Sequence, residues 1–291
     1  MASKSKENDP VDQIRLCDKG LNDKDLCNIL KSLKTHKKSV KIIQAGGNRL
    51  SEVPIIVQFP NIREVVLWRN RIESISGITS RLFAPGITEL DLAENRIVDI
   101  PNLCAFTSLE RLILVRNKLT VIQPNYLPKS LELLYLCSNK LKAIPSLESH
   151  TKLEYLSLGN NGLEHINTEL FPCSLVDLSL AGNRITELPD FSSFDNLKEL
   201  ELQQNAITEV TGVIPSSLQK LCLRDNHIRR ISRSTILNLQ QQSFECLTTS
   251  MSPSETKDIE WPTWDIFEKS LQFLIDSVLK EERRVLDAIT G

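Results

Sequence analysis

Residues 87–97 read ITELDLAENRI, and residues 109–119 read LERLILVRNKL. Laid over one another, the two segments share apolar residues at their first, fourth, sixth and eleventh places and an asparagine at the ninth. Upstream the same frame fits VKIIQAGGNRL from Val40 and IREVVLWRNRI from Ile62. Downstream it fits LELLYLCSNKL from Leu131, LEYLSLGNNGL from Leu153, LVDLSLAGNRI from Leu175, LKELELQQNAI from Leu197 and LQKLCLRDNHI from Leu218. The frame asparagines are Asn48, Asn70, Asn95, Asn117, Asn139, Asn161, Asn183, Asn205 and Asn226, spaced by 22, 25, 22, 22, 22, 22, 22 and 21 residues. Another apolar residue stands five places after each asparagine, from Val53 to Ile231. All 45 apolar sites of the nine repeats are filled by apolar residues in a chain that is 41% hydrophobic, which excludes chance.

This spacing dictates an architecture. In an LxL segment the leucines share one face and the residue between them points the other way, which describes a short strand with one buried side. A single repeat of this length cannot bury its apolar face alone, so successive repeats must stack and share a core. The asparagine that ends each strand has an amide that can satisfy backbone groups of the turn and of the adjoining repeat, giving a structural ladder through the protein. A second period overlies the first. Pro128, Pro172 and Pro215 stand three residues before the opening leucine of alternate repeats, Pro85 stands two before, and the repeats between carry FTS, HTK and FDN. Proline disfavours helix at the residue before it, so the return segments are expected to be extended or single-turn. The expected fold class is α/β: a horseshoe-shaped solenoid with a parallel concave sheet, short convex segments and a C-terminal helix.

The repeat frame extends to VDQIRLCDKGL from Val11, a degenerate first repeat with Lys19 in the asparagine place. Asp23 starts an expected helix through about Thr35, with Leu26, Leu30 and Leu33 on one face. Residues 1–10 read as a disordered N-terminus, 11–239 as the repeat domain, 240–257 as a polar linker, and 258–291 as a C-terminal helix. In that helix Phe267, Leu271, Leu274, Val278 and Val285 share a face.

The repeats resemble the intracellular 22-residue class of leucine-rich repeat, LxxLxLxxNxIxxI. That class includes the leucine-rich regulatory subunit of protein phosphatase type 1, leucine-rich dynein light chains and tubulin-folding cofactors. The alternating LPKSL, FPCSL and IPSSL segments also resemble repeats of bacterial effector proteins. The resemblance covers roughly residues 11–239 and implies a non-enzymatic protein-binding scaffold, while leaving the partner open. The short terminal cap motif common in the phosphatase-subunit group is absent from the sequence.

The chemistry carried by the remaining residues agrees with a binding role. The four histidines lie apart and off the apolar frame positions, and no HxxxH or His/Cys cluster has metal-ligand spacing. No GxSxG elbow or phosphate-cradling glycine loop occurs. The stretch after the repeats is too short for an ordinary catalytic domain, so an enzyme reading requires this chain to be a fragment of a larger one. No cofactor, catalytic or metal residue is therefore expected. A net charge of −2 argues against a general nucleic-acid binder, and the absence of any run of about 18 apolar residues argues against a membrane span. Seven scattered cysteines without a CxxC pair, and no Asn-x-Ser/Thr acceptor, point to a reducing compartment, cytoplasm or nucleus.

The outward strand positions are the expected binding surface for a protein or peptide. Val66, Trp68, Ile113, Val115, Leu133, Tyr135 and Tyr155 place apolar bulk where a sheet facing water is ordinarily polar, and Arg69 and Arg116 flank them. One alternative partner comes from another segment. Lys257-Asp258-Ile259-Glu260-Trp261 resembles the basic-x-Val/Ile-x-Phe/Trp docking motif for protein phosphatase type 1, which casts Lys257, Ile259 and Trp261 as docking residues of a phosphatase regulator.

Overall fold

A computed structural model describes residues 12–33, 36–76, 78, 86–228, 230–231 and 246–248. The chain divides into two compact units, residues 1–161 and 162–291. The expected C-terminal helix, the phosphatase-like segment and the N-terminal tail lie outside the described residues.

In the first unit each repeat frame supplies one three-residue strand. These are β1 (Gln13–Arg15), β2 (Ile42–Gln44), β3 (Glu64–Val66), β4 (Glu89–Asp91), β5 (Arg111–Ile113), β6 (Leu133–Tyr135) and β7 (Tyr155–Ser157). They pair in chain order, all parallel and in register, so that Ile14, Ile43, Val65, Leu90, Leu112, Leu134 and Leu156 form one inward row. Every residue of that row is buried. The degenerate first repeat therefore supplies the first strand.

Between β1 and β2 lies α1 (Asp23–Ser32), which starts at Asn22 through a capping box with Asp25. Leu26 and Leu30 are buried beneath it. It is shorter than the expected helix, with Leu33 as its half-buried C-cap.

The second unit repeats the plan with β8 (Asp177–Ser179), β10 (Glu199–Glu201), β12 (Lys220–Cys222) and β14 (Cys246–Thr248), again parallel. The last of these falls within the stretch read as a polar linker, and Leu247 stands in register with Leu221. A second, three-stranded parallel sheet joins β9 (Glu187–Leu188), β11 (Glu209–Val210) and β13 (Arg230–Ile231) on the return segments.

The return segments alternate over the two-repeat period, 44 residues from Pro128 to Pro172. One kind makes a single 3-10 turn before its proline, at Pro124–Tyr126 and Thr168–Leu170. The other makes two successive turns closed by Phe59, Phe106, His150 or Phe194. Each of these amides donates three residues back, and the following Ile62, Leu109, Leu153 or Leu197 amide donates to it in turn. These four residues fill equivalent slots in the core, Phe59 and His150 with no exposed surface at all. His150 lies off the five-position frame, and so only the structure shows it as a core residue. Burial and the nearby Lys129 hold its imidazole below the usual histidine range, outweighing the backbone of Leu127 and Leu147.

The asparagine ladder is the most extensive buried polar feature among the described residues. In each case one amide serves two repeats. Asn117 Nδ2 donates to Leu114 O of its own turn (3.1 Å) and to Leu92 O of the preceding repeat (3.0 Å), while its Oδ1 accepts from Ile97 N–H (2.9 Å). Asn48 does the same for the degenerate repeat, accepting from Lys19 and Leu21 N–H and donating to Leu16 O. The turn that aims each amide requires the preceding residue to be left-handed. Arg69, Glu94, Arg116, Ser138, Asn160, Gln204 and Asp225 have φ between 50° and 58°, and only Gly47 and Gly182 adopt this form without strain. Asn117→Ala is expected to leave these buried backbone groups unpaired and to lower stability by about 2 to 3 kcal/mol. Asn139, which is half-buried, is expected to lose about 1 kcal/mol on the same change. Urea denaturation of the two variants beside wild type measures the difference.

Candidate binding face of the sheet

The frame that buries every second strand residue also aligns the outward ones. In the first unit they form three rows. The first runs Glu64, Glu89, Arg111, Leu133, Tyr155, and the second runs Val66, Asp91, Ile113, Tyr135, Ser157. Past the strand ends the backbone bonding continues, with Arg69 N–H on Ala93 O, Glu94 N–H on Val115 O and Arg116 N–H on Cys137 O. This sets Trp68, Ala93, Val115 and Cys137 side by side as a third row.

Trp68 is half-buried. Its ring lies against Gly46, where an added Cβ would come 2.5 Å from the indole, and the Arg69 guanidinium carbon stands 4.8 Å from the ring centroid. Val66, Ile113, Val115 and Tyr135 are also half-buried, and Tyr155 is exposed. Leu133 is only 7% exposed; it stands in register between Arg111 and Tyr155 and contributes little open surface. The arginines have partners on the protein itself: Arg69 pairs with Asp18, Arg116 with Glu94 (3.3 Å), and Arg111 with Glu89 (3.0 Å).

Two carboxylates of this face, Asp91 and Glu89, are perturbed, a feature that the sequence analysis did not single out. Burial raises the Asp91 carboxyl above the usual range, the Ala93 N–H it accepts from at 2.9 Å lowers it, and Glu94 raises it. Burial likewise raises Glu89, against the pull of Arg111 and with the push of Glu64 and Asp91. No group of histidines, cysteines and carboxylates suited to a metal occurs among the described residues. No described helix is long and apolar enough to cross a membrane.

In the second unit the outward face is acidic and partly self-neutralised. Lys220 Nζ bonds Glu199 at 2.8 Å and Glu201 at 3.0 Å, and is held protonated by both. Asp177, in register beside Glu199, has no such partner among the described residues. Burial, then Glu199 and Glu201, push it up to about 6, against the pull of Lys220. A folded pKa above the unfolded value of about 4 means that the native state binds this proton more tightly. Stability is then lost as pH rises from about 4 through 6. Asp177→Asn is expected to stabilise the protein at pH 7.5 by about 1 kcal/mol, after allowance for solvent screening of a half-exposed group, and to have no effect at pH 4. Thermal melting at the two pH values tests this.

Residues 107–163 match the family profile "Leucine rich repeat", and residues 173–215 match "Leucine Rich repeats (2 copies)". No curated protein matches the chain. Among solved structures, the TLR13–ssRNA13 complex aligns with 76% of this chain and 33% of its own at 25% identity and a TM-score of 0.60. The plant peptide hormone receptor RGFR1 in complex with RGF2 aligns with 67% of this chain and 33% of its own at 26% identity and a TM-score of 0.53. An internalin from Listeria monocytogenes aligns with 84% of this chain and 76% of its own at 19% identity and a TM-score of 0.56. The chain thus spans about a third of each receptor chain. The matched stretches are leucine-rich repeats, and within each unit the strands stack in parallel and in register.

Proposed function

We propose that this chain is a non-enzymatic interaction scaffold that binds a protein or peptide on the outward sheet face of its first unit. One observation carries the reading: Val66, Trp68, Ile113, Val115 and Tyr135 are apolar and half-exposed in rows that a solvent-facing sheet ordinarily fills with polar residues. From Trp68, just past the end of β3, to Tyr135 on β6 is three strand spacings, about 14 Å, which one extended peptide or short helix spans. Two solvent-facing arginines paired in place, Arg69 and Arg116, give the rim a fixed polar outline. RGFR1, of similar fold, is solved with RGF2, which supports a polypeptide ligand. TLR13 is solved with ssRNA, but the carboxylates Glu64, Glu89, Asp91 and Glu94 on this face repel a polyanion. Cys17, Cys27, Cys104, Cys137, Cys173 and Cys222 are free thiols, which supports a reducing compartment, cytoplasm or nucleus.

A second reading rests on sequence. The segment from Lys257 to Trp261 matches the phosphatase type 1 docking pattern, and makes the chain a regulatory subunit of that enzyme. The catalytic subunit is then recovered by wild type and lost with an Ile259→Ala/Trp261→Ala double variant; equal recovery removes this reading.

For the leading reading, Trp68→Ala and Tyr135→Ala are each expected to weaken the purified partner's binding by about 1 to 3 kcal/mol. Calorimetric titration reads the loss, and thermal melting verifies the fold. Full binding by folded variants moves the site off this face.

A further inference from the structure

On β4 and just past its end the outward residues become acidic and small between apolar neighbours. Ala93 stands between Trp68 and Val115 in the third row, and Asp91 stands between Val66 and Ile113 in the second. Two strand spacings separate those neighbours, about 10 Å, so a notch one side chain wide opens over Ala93 with Asp91 beside it. The walls are apolar and half-buried.

The charge inside and around the notch is not balanced. Glu64 stands on β3, Glu89 and Asp91 on β4, and Glu94 in the turn that follows β4. Against them, Arg111 pairs Glu89 and Arg116 pairs Glu94, while the Arg69 guanidinium is directed to Asp18. The Asp91 carboxylate is half-buried and accepts a hydrogen bond from the Ala93 amide, and it has no ion pair among the described residues. Burial of an uncompensated carboxylate is costly, and a cation brought to it offsets that cost.

We propose that this notch takes the side chain of a lysine or arginine from the polypeptide bound on the sheet face, the aliphatic stem lying between Trp68 and Val115 and the cation meeting Asp91. Long basic side chains suit both surfaces at once, since their methylenes cover apolar walls and their heads seek a carboxylate. The inference rests on the sheet-face reading and deepens it by naming the recognised residue. The partner segment is thus basic, with apolar residues beside the cation to cover Ile113 and Tyr135.

A random 12-residue peptide library displayed on phage, panned on the full chain, tests this. The selected peptides are expected to be enriched in lysine or arginine next to apolar residues. A synthetic copy of the best one should lose at least tenfold in affinity with Asp91→Asn, read by fluorescence anisotropy. Replacing its basic residue by methionine should cost as much against wild type and little against Asp91→Asn, because both changes remove one contact. Glu201→Gln, in the second unit, is the control and leaves binding unchanged. Peptides without basic enrichment that are still lost with Trp68→Ala overturn the cation notch and keep the sheet face. Selected peptides indifferent to both Trp68→Ala and Asp91→Asn overturn both readings. No enrichment, or tighter binding of a labelled single-stranded RNA than of any selected peptide, also overturns the proposal.

Discussion

Each ladder asparagine carries one primary amide with two donors and an oxygen, and all of it is used. The donors hold the carbonyls of its own turn and of the repeat before, and the oxygen holds an amide of that repeat. No other side chain of this size offers both functions in that geometry; aspartate lacks the donors and leucine lacks both. The strands are only three residues long, too short to fix a turn by themselves. The amide therefore sets the turn, the turn sets the register, and the register decides which side chains face water. It also explains the row of left-handed residues. A positive φ at Glu94 or Arg116 costs about 1 kcal/mol or more, and it persists because the amide that follows over-determines it.

What could be read from the sequence was whatever recurs in every repeat. Leu112, Leu134 and Leu156 are inward because their frame position is inward, and the structure places them there. Features that recur only in alternate repeats, or through backbone geometry, were harder to see. Phe59, Phe106, His150 and Phe194 occupy one slot, but a histidine among three phenylalanines hides the pattern unless the 44-residue period is used to align them. The left-handed position before each asparagine has no residue signature at all, since arginine, glutamate, serine and glutamine occupy it beside glycine. Cys246–Thr248 pairs as a strand after the asparagine ladder has stopped, in a stretch whose composition reads as linker.

The face proposed for binding was legible in outline. Frame position alone set Trp68, Ile113, Val115 and Tyr135 on one side of the sheet. Their neighbours then decide how much each one shows: Leu133 is covered in a row with two long side chains, whereas Trp68 lies flat on a glycine and stays partly open. Arg69 and Arg116 look free in the sequence because their partners, Asp18 and Glu94, are 51 and 22 residues away. With those arginines paired, the charge left on the proposed face belongs to carboxylates.

The ladder bonds all point the same way along the chain, each asparagine reaching back toward the repeat that precedes it. A repeat is thus completed only by the one made after it. On a ribosome the newest turn always waits with an open amide, and the turn behind it has just closed. Growth of such a structure is vectorial, and its two ends are not equivalent. Trimming a whole repeat from the front removes an apolar neighbour but leaves every later turn closed. Trimming one from the back reopens a turn that was sealed.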